Sequence, residues 1–233
     1  MVNFVMPYSR NANRYLTCPL KYARSLRLLT MGVTAASTIE QRMTFFCDVE
    51  DSEKQNIVAL AAAADKMVYN YFNRSCEFDI IICEGAWSME VQTISRRKYN
   101  ESLSFSDTKS VSLTDVRLNE IVVRKDKAKF GHYLHEMIHA IIHKGFPEQL
   151  REALAWYFTL ELTESCRYVR PNYASWVADL YIRPIQAFAL KFGKDFVRDF
   201  AFGDTEVEDS VLPEDVYRLF LPEDFYNVKK LRQ

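Results

Sequence analysis

The sequence predicts an α+β protein, with a small mixed sheet built in the first half and a mostly helical C-terminal half. Three observations lead there. Short runs rich in β-branched and aromatic residues, "RMTFFCDVE" (42–50), "FDIIIC" (78–83) and "VRLNEIVVRK" (116–125), read as strands. A long helical pattern separates the first two, and apolar spacing is helical from residue 126 onward. Only six glycines occur in 233 residues, which leaves little material for a hairpin-rich β protein.

In order, the first strand centres on Phe45, Phe46 and Cys47. The following helix, from Asp51 to about Arg74, repeats Ile57, Leu60, Ala64, Met67 or Val68, and Tyr71 on one face, with Asp51 or Ser52 as N-cap. "FDIIIC" is apolar at consecutive positions, as a strand buried on both faces is, and Glu84-Gly85 closes it. Residues 86–116 are rich in Ser and Thr and read as short strands and loops. Asp126 is the expected cap of a helix over 127–144, ended by Gly145. Pro147 suits the first turn of a second helix, "PEQLREALAWYFTLELTES" (147–165). Further helices follow Pro171, with breaks near Pro184 and at Gly193. "LPEDVYRLF" and then "LPEDFYNVK" form two short capped turns, in a stretch (204–224) where eight acids face one Arg.

No linker interrupts this order, so residues 1–233 are expected to form one domain. It divides into a basic arm (1–40), an α/β part (42–125) and a helical part (126–233). The arm holds Arg10, Arg14, Lys21, Arg24 and Arg27 and no acid before Glu40. Its apolar stretch starts late, near Leu28, which favours an arm over a cleaved signal. With 48% apolar and 26% charged residues the composition is globular. A net charge of -1 gives no reason to expect nucleic acid as partner. No run is long enough for a transmembrane segment. Five cysteines (Cys18, Cys47, Cys76, Cys83, Cys166), odd in number and without a CxxC pair, predict reduced thiols and a cytoplasmic protein.

All four histidines lie in "GHYLHEMIHAIIHKG" (131–145). His135 and His139, four apart on a helix, project from one face and can grip one ion. Glu136 stands about 100° round the helix from His135, where it misses the ion but reaches a water bound to it. Zinc brings that water's pKa to roughly 7, and a carboxylate can take its proton as it attacks a carbonyl. Glu136 is therefore the candidate general base. His132 and His143 extend the same stripe, so 132/135 and 139/143 are alternative chelating pairs; only 135/139 brackets a glutamate. Otherwise His132 and His143 form a polar helix edge.

A catalytic zinc takes three protein ligands and leaves one position open. No histidine follows His143, so the third ligand is expected to be an acid or a cysteine. If 127–144 and 147–165 pair antiparallel, an ion on His135 and His139 lies ~12 Å from their connection at 1.5 Å per residue. Glu152 lies ~9 Å up the partner helix, Glu148 only ~3 Å and Glu161 more than ~20 Å. Glu152 matches best in level.

"HEMIH" followed by "FPEQLREALAWYF" resembles the gluzincin metallopeptidases, whose second helix often reads P-x-W-L-x-E-G-x-A-x-Y. Pro147, Leu150, Glu152, Ala155 and Tyr157 match; Gln149 stands for the usual Trp and Ala153 for the usual Gly. "KFGKDFVRDF" (191–200) is similar to a later helical segment of such enzymes. The metzincin pattern fails, because Ile142 and Gly145 stand where its Gly and third His belong. The resemblance spans roughly 42–200 and implies a zincin-like fold, one Zn2+ per chain on His135, His139 and Glu152, and hydrolysis of a peptide or protein substrate with Glu136 as base. It also implies an oxyanion-stabilising side chain, for which Tyr168, Tyr173 and Tyr181 are candidates, and a strand before the zinc helix to bind the substrate chain.

Two other readings stay open. A regulatory HExxH protein that cleaves a repressor has a similar second helix. A non-catalytic zinc-binding or scaffold protein with a degenerate site would keep the ion but give Glu136 no task.

Overall fold

The computed structural model describes residues 39–85, 111–116, 118–165, 177–205, 207 and 212–220. The expected basic arm as far as residue 38, the second "LPED" turn, Tyr168 and Tyr173 lie outside them. The chain is α+β, with one four-stranded mixed sheet of order β1-β2-β4-β3. Strand β1 (Met43–Phe46) runs parallel to β2 (Asp79–Cys83), and β2 parallel to β4 (Glu120–Arg124); β3 (Ser112–Asp115) pairs antiparallel with β4. Helix α1 (Asp51–Phe72) is the crossover between β1 and β2.

The strand lengths differ from expectation for local reasons. β1 stops at Phe46 because β2 offers partners only from Ile80 to Cys83. Met43 is its buried residue, whereas Phe46 is 39% exposed, so its apolar centre lies earlier than Phe45–Cys47. In "VRLNEIVVRK" only Glu120–Arg124 is strand. The preceding residues turn the β3–β4 hairpin, with Asn119 left-handed at φ 56° and the Leu118 N–H donating to Asp115 Oδ1 at 3.3 Å. A short strand in the Ser- and Thr-rich region is indeed present, as β3.

β2 is buried on both faces, as its unbroken apolar run requires. Ile80 and Ile82, with Ile121 and Val123 of β4, join the main core under the helices; Ile81, Cys83 and Val122 form a smaller cluster on the other face, with Leu113 packed against it. Helix α1 buries Ile57, Val58, Ala61 to Ala64, Val68 and Phe72; Leu60, Met67 and Tyr71 lie only at the edge of that face. Its N-cap is Glu50 rather than Asp51 or Ser52. The alanines let α1 pack directly on α2 (Phe130–Ile141). Each large aliphatic or aromatic side chain buried here contributes about 1.5–3 kcal/mol.

Helix α2 is shorter at both ends than 127–144. At its start, Asp126 accepts two hydrogen bonds from the buried Arg124 guanidinium, at 3.0 and 2.8 Å, and does not cap the helix. The cap is Lys129, whose N–H donates to His132 Nδ1 at 3.0 Å. At its end, the His143 N–H donates to Ala201 O at 2.8 Å instead of continuing the helical ladder, so the helix stops before Gly145.

Helix α3 (Glu148–Ser165) packs on α2 across the short connection. A π-helical segment (Ala178–Ile182), which a 3.6-residue period does not anticipate, leads into α4 (Arg183–Phe192). Pro184 sits in the first turn of α4. Gly193, at φ 94°, breaks the chain before α5 (Lys194–Ala201), as expected. Phe188, Phe192, Phe196 and Phe200 interlock across that break. The first "LPED" turn forms α6 (Glu214–Tyr217) and a 3-10 turn (Arg218–Phe220). Among the described residues, Cys47, Cys76 and Cys83 are in no disulfide, and no helix is long and apolar enough to cross a membrane.

Candidate metal centre

Three side chains from α2 and α3 converge. His139 Nε2 lies 3.1 Å from His135 Nε2 and 2.9 Å from Glu152 Oε2, and His135 Nε2 lies 3.5 Å from Glu152 Oε1. His135, His139 and Glu152 are the one group among the described residues whose donor atoms could hold a metal ion. Zinc bonds of about 2.0–2.1 Å at tetrahedral angles separate ligand atoms by about 3.3 Å. The observed distances bracket that value, and two nitrogens with one carboxylate are the donor set zinc accepts. The residues fit the ion.

The elements explain why they meet. The i, i+4 spacing puts both imidazoles on one face of α2. Ala153 and Ala155 are fully buried small residues on α3, and Glu152 directly precedes Ala153 in sequence. Glu148 is exposed, and Glu161 is ion-paired with Lys194 near the far end of the helix. Glu152, the acid that the level argument selects, is the one that meets both imidazoles. His132 is occupied as a helix cap, and burial holds its imidazole below the ordinary pKa. His143 is exposed and leans between Gly145 and Gly203, where a Cβ on either glycine would come within 2.8 Å of its ring. Neither His132 nor His143 belongs to the three-donor group.

A second layer orients the donors. Thr159, fully buried, faces His135 Nδ1 at 3.3 Å and leaves Nε2 for the ion. Trp156 donates its indole N–H to Glu152 Oε1 at 2.7 Å and lays its ring against His135 at 4.5 Å between centroids. Glu152, Trp156 and Thr159 follow an i, i+4, i+7 stripe on α3, the signal that could have revealed them. Arg151 is buried and reaches toward the His139 carbonyl at 3.5 Å, one of the carbonyls left open at the end of α2.

The electrostatics describe the metal-free state. Burial opposes charge on His135, but the Glu152 hydrogen bond and the charges of Glu152 and Glu136 outweigh it and raise its pKa. Burial likewise opposes charge on Glu152, yet His139 and His135 hold its carboxyl well below the usual carboxylate range. The site therefore favours a negative carboxylate beside cationic imidazole when no ion is bound.

Glu136 is buried, is not one of the three donors, and is hydrogen-bonded to the sheet. Its Oε1 accepts from Ser112 Oγ at 2.8 Å and its Oε2 from Thr114 Oγ1 at 2.6 Å. Both hydroxyls belong to β3, in the Ser- and Thr-rich region expected to hold short strands and loops, and no local signal marks which of its hydroxyls meet Glu136. The strand directly before α2, expected to lie beside a substrate, is instead interior, with β2 and β3 on its two sides. Among the described residues, the end strand on that side is β3. Tyr181 packs against Leu160, Val177 and Ile182, part-buried.

Comparison with protein-family models, curated proteins and solved structures finds no match to this chain.

Proposed function

We propose that the protein is a zinc-dependent peptidase in which His135, His139 and Glu152 hold the ion and Glu136 is the general base. The observation that carries this reading is a three-donor group of zinc-like spacing with a separate, anchored carboxylate one residue from a donor on the same helix. A zinc ion held there would supply Lewis acidity and bring the pKa of a coordinated water to about 7. The chain's own residues do the rest. Thr159 and Trp156 fix the donors, and Glu136, not spent on the ion, can take a proton from the attacking water and return it to the leaving amine.

A peptide suits the site because β3 ends the described sheet and an extended chain can add to such an edge by main-chain hydrogen bonds. The gluzincin resemblance of "HEMIH" and "LREALAWYF" points the same way. A structural zinc site would close with a fourth protein ligand; the group here has three among the described residues.

The test is metal analysis of protein purified without added zinc, together with a peptide-library cleavage assay on the parent and Glu136→Gln. About one zinc per chain in both proteins, with cleavage only by the parent, is expected. A Glu136→Gln variant that cleaves as well as the parent removes the role assigned to Glu136.

A further inference from the structure

We infer that Ser112 and Thr114 are positioning residues for the reaction: their hydroxyls clamp the Glu136 carboxylate from the end strand of the sheet and fix where the base stands. This inference rests on the peptidase reading above. The argument begins with strand geometry. Residues two apart on a strand present their side chains on one face. In β3 that face is the one opposite Leu113, which packs with the smaller cluster. The register pairs Ser112 with Val123 and Thr114 with Ile121, both members of the main core beneath the helices. Ser112 and Thr114 are therefore turned toward α2, and Glu136 meets them.

Each hydroxyl takes a different carboxylate oxygen: Thr114 at 2.6 Å, within the range of a charge-assisted O–H to carboxylate bond, and Ser112 at 2.8 Å, an ordinary O–H to oxygen length. One such bond would leave the carboxylate free to rotate about its last torsion. Two, one per oxygen, stop it. Thr114 Oγ1 also lies 3.1 Å from the Glu136 main-chain carbonyl, which ties the clamp to the helix itself as well as to the side chain. Each carboxylate oxygen offers more than one acceptor site, so a hydroxyl on each leaves acceptor capacity for a proton from water. A carboxylate this buried would in any case need partners. The clamp differs from mere satisfaction in what it constrains: it sets the base relative to His135 and His139 on its own helix and Glu152 on the next, and a base displaced by about 1 Å can cost 100-fold in rate.

The experiment uses the full chain with Ser112→Ala, Thr114→Val and the conservative Ser112→Thr and Thr114→Ser. Each is measured for zinc affinity by chelator competition, for kcat and KM on the best library peptide, and for melting temperature. Thr114→Val and Glu136→Ala are also combined. Expected are parental zinc affinity in all variants and a kcat lowered about 10–100-fold for Thr114→Val with KM unchanged. Thr114→Ser should recover most of the rate. The melting shifts of Thr114→Val and Glu136→Ala should be non-additive, because each removes the same contact. Full kcat in Thr114→Val, no recovery in Thr114→Ser, or additive melting shifts would each overturn the clamp while leaving the peptidase reading intact. A parent that binds zinc yet cleaves no peptide overturns that reading, and the catalytic role of the clamp falls with it.

Discussion

The Trp156 indole N–H donates to one oxygen of Glu152 at 2.7 Å while the other oxygen of that carboxylate stands 2.9 Å from His139 Nε2. One carboxylate thus serves two masters on opposite sides. With Oε1 engaged by the indole, Oε2 is the oxygen left to face an ion that the imidazoles would share. Trp156→Phe keeps a ring against His135 but deletes the donor. We expect zinc affinity to fall about 10–100-fold, measured by chelator competition, with the fold retained by circular dichroism. Parental affinity in Trp156→Phe would mean that the indole bond does not orient the ligand.

Glu152→Ala should bind zinc far more weakly than the parent, whereas Glu148→Ala and Glu161→Ala should bind normally. Glu148 is exposed and Glu161 is committed to Lys194. His132→Ala and His143→Ala should also keep the ion, since one caps α2 and the other leans on Gly145 and Gly203. Zinc titration of the five variants decides the ligand set. A loss confined to His132→Ala or His143→Ala would move the metal along the histidine stripe.

The charge pair sets a pH dependence of opposite sign in the two forms. In the metal-free protein the His135 pKa is raised from 6.5, so its contribution to stability is complete below that value and lost as pH climbs through the raised one. The Glu152 pKa is lowered from 4.5, so its contribution is present above that value and lost as pH falls toward the lowered one. Between 4.5 and 6.5 both are present. Zinc requires neutral imidazole and displaces the proton. The rise in melting temperature caused by zinc should therefore be larger at about pH 8 than at about pH 5.5. A zinc-induced rise that does not change with pH would contradict the pairing.

Gly145 and Gly203 both abut His143, but only Gly203 has a left-handed backbone, at φ 74°. Gly145→Ala meets the movable end of an exposed side chain, and His143→Ala in the same protein should erase its cost. Gly203→Ala carries backbone strain as well, about 1 kcal/mol or more, which His143→Ala cannot relieve. Denaturant unfolding of the two single and two double variants checks this. Equal rescue of both glycine variants would show that the backbone at Gly203 bears no strain.

The convergence of His135, His139 and Glu152 was legible because it obeys local rules. Four residues separate His135 from His139 on one helix, and a short connection puts Glu152 level with them. The strands and α1 were legible in kind, though their ends were set by partners: β1 by the length of β2, α2 by Arg124 at one end and Ala201 at the other. Ser112 and Thr114 were not legible, since nothing in a polar stretch announces which hydroxyls will face a carboxylate more than twenty residues later. The interior position of β4 was hidden for the same reason. Sheet order depends on pairings between distant segments, and local periodicity carries no information about it.

From Ser112 to Thr159 the chain runs through β3, β4, α2 and α3 without leaving the site, and every donor, hydroxyl and orienting residue described above lies on that run. Loop-closure entropy grows with the logarithm of the separation, so bringing these groups together costs little beyond one hairpin turn and one interhelical connection. Their contacts are of low order and belong among the early ones to form. During synthesis from the N-terminus, the full set of donors has emerged before α4 and α5 exist, and an ion captured then would act as a nucleus that the later helices close around.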